Sequence, residues 1–147
     1  MKKIIFFLIL FPAIFCNGCK KEDLTDTIDI TQFSWKLKSI TIDGNKSKTP
    51  NKDYHGDKID KDNVYKLRFV NDSLFQFDLS INEGQGKYDI LQSGKILFPT
   101  YGTTYVCCNS DFEQDLLPII SKIKSYQVLD NILLLKGDNC EIELKQE

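Results

Sequence analysis

Few side chains in this sequence could do chemistry, and their spacing decides most of them. His55 is the only histidine. It sits in a polar run with no serine or cysteine nucleophile placed to use it, so a general-base role lacks its partner. Asp57, Asp60, Asp62 and Asn63 offer oxygen ligands, but the run lacks the central glycine and closing glutamate of a calcium loop. Cys107 and Cys108 are adjacent, which leaves no C-x-x-C pair for zinc. Gly84 and Gly86 make only GQG ahead of a strand, short of a phosphate-cradling loop. No catalytic residue, metal site or cofactor is therefore expected. Cys107, Cys108 and Cys140 keep one option open. In a strand, neighbouring residues point to opposite faces, so only one of Cys107 and Cys108 could face Cys140 in a disulfide. The alternative is that all three stay reduced as small apolar residues.

The elements that must position these residues follow from periodicity. Trp35 and Leu37 alternate with Lys36 and Lys38 across residues 33–42, as in a half-buried strand. Residues 43–63 break the pattern with Asp, Asn, Lys, Gly and Pro and read as a long loop. Tyr65, Leu67 and Phe69 alternate, as do Phe75, Phe77 and Leu79; the turn Asn71, Asp72, Ser73 joins the two runs as a hairpin. Further strands are expected at residues 87–91, 95–98 and 103–108, the last rich in strand formers. Then the period changes. Phe112, Leu116, Ile119, Ile120 and Ile123 recur at helical spacing, Ser110 and Glu113 form a capping box, and Pro118 should kink the helix or open a second. Strands at residues 125–128, 132–136 and 140–145 finish the chain. About eight short strands and one helix at about 110–123 predict an α+β fold. The strands bury their apolar faces best as a mainly antiparallel curved sheet or small barrel, with the helix packed on it or closing one end. Phe75, Phe77 and Tyr88 would line a cavity if the barrel were hollow.

At 147 residues there is room for one domain and a leader. Lys2 and Lys3 precede thirteen uncharged residues, 4–16, interrupted by Pro12. A helix needs about 20 apolar residues to cross a bilayer, so this run is a signal-peptide core. Gly18 before Cys19 resembles a bacterial lipoprotein signal, in which the cysteine is acylated; Cys16, preceded by bulky Phe15, fits poorly. The expected organisation is thus a lipoprotein signal peptide over residues 1–18, a lipidated Cys19 with a polar tether over 19–32, and a domain over 33–147. Several acyl chains such as palmitate, at about 0.8 kcal/mol per buried methylene, hold a domain at an outer membrane without a membrane-spanning helix. Lys21, Glu22 and Asp23 resemble the surface-export signal of Bacteroidetes lipoproteins, or serve simply as solvated tether; the domain is therefore periplasmic or surface-exposed. Without Lys2 and Lys3 the chain keeps 17 basic residues against 21 acidic ones, and Arg68 is its only arginine. That balance excludes nucleic acid as an expected partner. The membrane and envelope proteins remain, with the chain a monomer.

The C-terminal half carries a recognisable order. Asn82 precedes Gly86 and Tyr88 on a strand; Gly94 leads an apolar strand; Thr103 and Thr104 lead to Cys108; Phe112 and Leu116 mark a helix; Tyr126 and the run ILLL follow. With the Trp35 strand in front, this resembles the META-domain, or HslJ-like, family of small bacterial envelope proteins, across residues 33–145. Where the family often shows Gly-Cys-Asn this chain has Ser80, Ile81 and Asn82, and Val106 and Cys107 replace a usual methionine and alanine. The resemblance implies a compact α+β domain of non-enzymatic envelope role, linked in some members to stress tolerance. It implies structural work for Asn82, Thr104 and Cys108 and supplies no catalytic residue. A lipocalin-like barrel holding a small apolar ligand is the alternative.

Overall fold

The computed structural model describes residues 28–60, 62, 64–106 and 108–147. Nine antiparallel strands and one α-helix make up the body: β1 Ser34–Ile42, β2 Asn45–Lys48, β3 Lys66–Phe69, β4 Leu74–Asp78, β5 Glu83–Leu91, β6 Lys95–Thr103, α1 Asp111–Ile120, β7 Ile123–Leu129, β8 Ile132–Gly137 and β9 Cys140–Gln146. The sheet runs β1-β3-β4-β5-β6-β7-β8-β9 and closes on itself where β9 pairs with β1, so that Leu37 lies opposite Leu144 and Ile42 opposite Cys140. Closure removes the exposed edges that an open sheet of this length would present. β2 is an extra strand, folded back on the second half of β1. The expected small antiparallel barrel with one helix is the fold observed.

Alternation fills the interior. Trp35, Leu37 and Ile40 of β1, Phe75 and Phe77 of β4, Ile96 and Phe98 of β6, Leu133 and Leu135 of β8, and Ile142 and Leu144 of β9 are all buried. Each such side chain contributes about 1.5–3 kcal/mol by leaving water. Phe75 meets Phe98 edge to face, with centroids 4.9 Å apart. Trp35 is fully enclosed, and its indole Nε1 donates to the carbonyl of Ile30 at 2.8 Å. Ile30 is itself buried, in the single 3-10 turn Ile30–Gln32 that Asp29 caps. The packed body therefore begins within the segment expected to be tether.

Three expectations about elements need correction. The loop at 43–63 contains β2, because Asp43 and Gly44, both at positive φ, turn the chain back on β1. The strand expected over 103–108 is not there: Thr103 ends β6, and residues 104–106 and 108 lie in no strand. After Thr103 the chain is held by side chains instead: Glu83 N donates to Thr104 Oγ1 at 2.9 Å and Val106 N donates to Asn82 Oδ1 at 2.8 Å. Tyr105 and Val106 point into solvent. Lastly β5 and β6 are much longer than their alternation suggested. Register slips between Lys87 and Asp89, placing a bulge near Pro99, which has no N–H to give to a ladder.

The antiparallel order fixes two ends. One end holds the β1–β2 turn, the β4–β5 turn, the end of β6 and the β8–β9 turn; α1, joining β6 to β7, spans it with Phe112, Leu116, Ile119 and Ile120 buried beneath. Pro118 lies in the last turn of this one helix. At the other end are the first described residues, the β3–β4, β5–β6 and β7–β8 turns, and the C-terminus, tied together by Gln146 N donating to Asn131 O and Glu147 N to Ser34 O.

Candidate functional site

A polar cluster sits where α1 begins. Ser110 caps the helix, its Oγ accepting from Glu113 N at 3.3 Å, and Glu113 Oε2 accepts from Ser110 N at 2.9 Å. Only 1% of Glu113 is exposed. Its second oxygen, Oε1, accepts from both the backbone N–H and the hydroxyl of Ser80 at 2.7 Å each, reaching the β4–β5 turn. Beside it Asn82 is buried, donating from Nδ2 to Asn109 Oδ1 at 3.0 Å. Tyr65 completes the cluster, edge-on to Phe112 with centroids 5.6 Å apart. It is an aromatic residue at positive φ, a backbone state that costs energy outside glycine. Its hydroxyl is enclosed near Glu113, Ser80 and Ser110 but forms no well-oriented hydrogen bond. Burial first, and then the Glu113 carboxylate, push it up to about 12.

Chemically this cluster is closed. A carboxylate already accepting three hydrogen bonds has little left to offer a substrate, and a tyrosine at about 12 stays protonated at neutral pH. Its geometry pins the helix to the β4–β5 turn. The open feature is on the outer wall: a groove of about 790 Å³ across β4, β5 and β6, floored by Gly84, Gly86 and Gly102 and flanked by Leu74, Gln76 and Thr100. Gly86 is what brings β5 this close to β6, since a methyl there would lie 2.2 Å from Thr100 O and 2.7 Å from Phe75 Cε1. Beside the groove, Arg68 on β3 holds Asp78 of β4 at 2.8 Å; burial still pushes that carboxyl up, with the guanidinium pulling the other way.

With that geometry in view, the META domain family model matches residues 28–147. This chain belongs to the META domain family. The match starts two residues before buried Ile30, within the segment expected to be tether. A DUF4847 family protein from Bacteroides vulgatus ATCC 8482, solved as a crystal structure, has a similar fold: TM-score 0.55 at 13% identity, covering 78% of this chain and 92% of that one. No curated protein sequence matches.

The META domain places the sequence-derived candidates as follows. Phe75, Phe77 and Tyr88 are buried among core side chains, and none of them lines the 790 Å³ groove. Tyr88 Oη donates to Asn71 O at 2.7 Å, which ties β5 to the β3–β4 turn. Cys140 carries a free thiol. It opens β9 beside Gly137, and burial pushes its thiol up. The facing argument for the neighbouring cysteines also loses its premise, because Cys108 lies in no strand. His55 is exposed and meets Tyr54 edge-on at 5.5 Å. Asp57 N donates to Asp53 Oδ1, and Asp62 N to Asp60 Oδ1, so of these candidate ligands the Asp60 carboxylate serves a turn, as does that of neighbouring Asp53. Among the described residues no three His, Cys, Asp or Glu are grouped to hold a metal ion, and no helix is long and apolar enough to cross a membrane. Cys16, Cys19, Lys21, Glu22, Asp23, Asn63 and Cys107 lie outside the described residues.

Sequence reasoning missed the second grip of Glu113 on Ser80, thirty-three residues away in the chain. The capping box announced only the local half. It also missed the groove, whose sole signal was the pair Gly84 and Gly86 opposite two phenylalanines.

Proposed function

We propose that this META domain is a non-catalytic envelope lipoprotein, anchored through acylated Cys19 to the outer membrane, that acts by presenting its outer wall to protein partners. The observation carrying this reading is the filled interior: aromatic and aliphatic side chains occupy the barrel, leaving the roomy feature outside, on β4, β5 and β6. A carrier of small apolar ligands would instead need an apolar cavity of roughly 300 Å³ or more inside. Acylation is supported by Gly18 preceding Cys19 after an uncharged run too short to span a bilayer. The chain is read as a monomer, facing the periplasm or the cell surface, with a supporting role in envelope stress tolerance.

Mass spectrometry of the mature N-terminus, beside a Cys19→Ser control, tests the anchoring. The expected product begins at Cys19, carries acyl chains and partitions with membranes, while the control does neither. A wild-type chain that is unacylated and soluble refutes it.

A further inference from the structure

Most of the exposed aliphatic side chains gather at one end of the barrel, with Leu97 within β6 and Val106 near the helix outside that group. Ile28, Val70, Leu74, Ile90, Leu91 and Leu129 are 39–59% exposed, and all lie at or beside the end where the described chain begins. Each of the three turns there is flanked by at least one of them: Val70 and Leu74 frame the β3–β4 turn, Leu91 the β5–β6 turn and Leu129 the β7–β8 turn. At the helix end the β1–β2 and β8–β9 turns carry Asp43, Gly44, Asp138 and Asn139, and the exposed apolar residues are Tyr105 and Val106, just past β6. Aliphatic turn tips gathered at one end, with polar residues between them, are what a monotopic protein presents to the headgroup and acyl boundary of a bilayer.

We infer that this ring of aliphatic turns docks onto the lipid surface to which Cys19 anchors the chain, so that the helix end points away from the membrane and the outer groove, which starts at Val70 and Leu74 in the ring, runs up the wall from the bilayer towards Thr104. The inference rests on the anchoring reading above. Eight residues, or nine Cα steps, separate Cys19 from Ile28. At about 3.3–3.6 Å per step the nine steps reach no more than about 32 Å, which brings this end of the barrel within about one strand length of the bilayer. Asp72, Asp89 and Asp130 stand among the aliphatics, offset by Lys87 and Lys95. Attraction to anionic lipid is therefore not the driving force, and docking should occur on zwitterionic vesicles.

The test uses the acylated mature chain in phosphatidylcholine vesicles containing brominated lipid. Trp35 is the only native tryptophan and is buried, so it supplies a constant background. Two exposed positions are compared, Leu91→Trp at the docking end and Tyr105→Trp at the helix end. Insertion to roughly 5–10 Å puts the Leu91→Trp indole within reach of the bromines, so its fractional quenching should be at least about twice that of Tyr105→Trp. Equal quenching in chains that still float with the vesicles overturns docking and leaves anchoring intact. Chains with Cys19 that fail to float overturn the anchoring and the docking together. A Leu91→Trp signal shielded equally with and without lipid, in a chain eluting as a dimer, assigns the ring to a second copy and overturns the inference.

Discussion

Removing the Glu113 side chain is the most demanding test of how this barrel is closed. Glu113→Ala strips the acceptors from Ser80 N, Ser80 Oγ and Ser110 N at once. Hydrogen bonds to a charged group contribute about 1.5–3 kcal/mol each, and the lost capping box alone costs about 1 kcal/mol. Ser80 and Ser110 are only half-buried, so water recovers part of the loss. The net expectation is about 3–4 kcal/mol, which for a domain of this size lowers Tm by roughly 12–16 °C. Urea unfolding followed by the fluorescence of buried Trp35 measures it. Glu113→Gln should fall between, near about 2 kcal/mol, because an amide can keep its oxygen on Ser80 while turning a donor towards Ser110 N. Glu83→Ala is the control: Glu83 is exposed, its hydrogen bonds here are made by backbone atoms, and a change within about 0.5 kcal/mol is expected. A loss below about 1 kcal/mol in Glu113→Ala, or equal losses for Ala and Gln, would show that the carboxylate does not hold the helix to the β4–β5 turn.

Tyr65→Phe should have the opposite sign at neutral pH. Deleting an enclosed hydroxyl without a well-oriented partner is expected to gain up to about 1 kcal/mol, and a loss of that size would mean the hydroxyl is bonded after all. The same variant changes the alkaline limb. The folded chain holds the Tyr65 proton more tightly than the unfolded chain, so the stability this adds is complete below pH 10 and is lost as pH rises to about 12. About 2–3 kcal/mol of alkaline destabilisation should therefore disappear in Tyr65→Phe, read from urea midpoints across that window. Gly86→Ala should cost at least about 3 kcal/mol, because its methyl meets backbone atoms of Thr100 and Tyr101 that cannot swing aside. Gly102→Ala, with open space above it, should stay within about 0.5 kcal/mol by the same urea unfolding.

These residues also show where a sequence can and cannot be read. The Trp35 strand, the β3–β4 hairpin and the last three strands were legible because each buries one face, and burial imprints a period of two on the side chains. That imprint fails where the inward residue has no side chain. Gly84 and Gly86 face Phe77 and Phe75 across the ladder, so the interior volume at those positions is filled from β4 and the alternation of β5 vanishes from its own sequence. Composition misleads in the reverse direction at residues 103–108. Thr, Tyr and Val favour strands only when a neighbouring strand supplies a ladder, and here Asn82 and Thr104 side chains claim the backbone and turn the chain towards α1.

The same logic separates the two halves of the polar cluster. Ser110 and Glu113 are three residues apart, so their reciprocal bonds follow from helix geometry and were readable. The hold of Glu113 on Ser80 is non-local: it exists only once eight strands have closed and set the β4–β5 turn beneath the helix. Burying a carboxylate is costly unless it is fully hydrogen-bonded, so this residue is tolerated only when the barrel is correctly assembled. Glu113 thereby couples a local helix signal to global closure. A barrel whose helix fails to dock leaves that carboxylate and Ser80 unpaired together, which penalises the misassembled state more than any local propensity could.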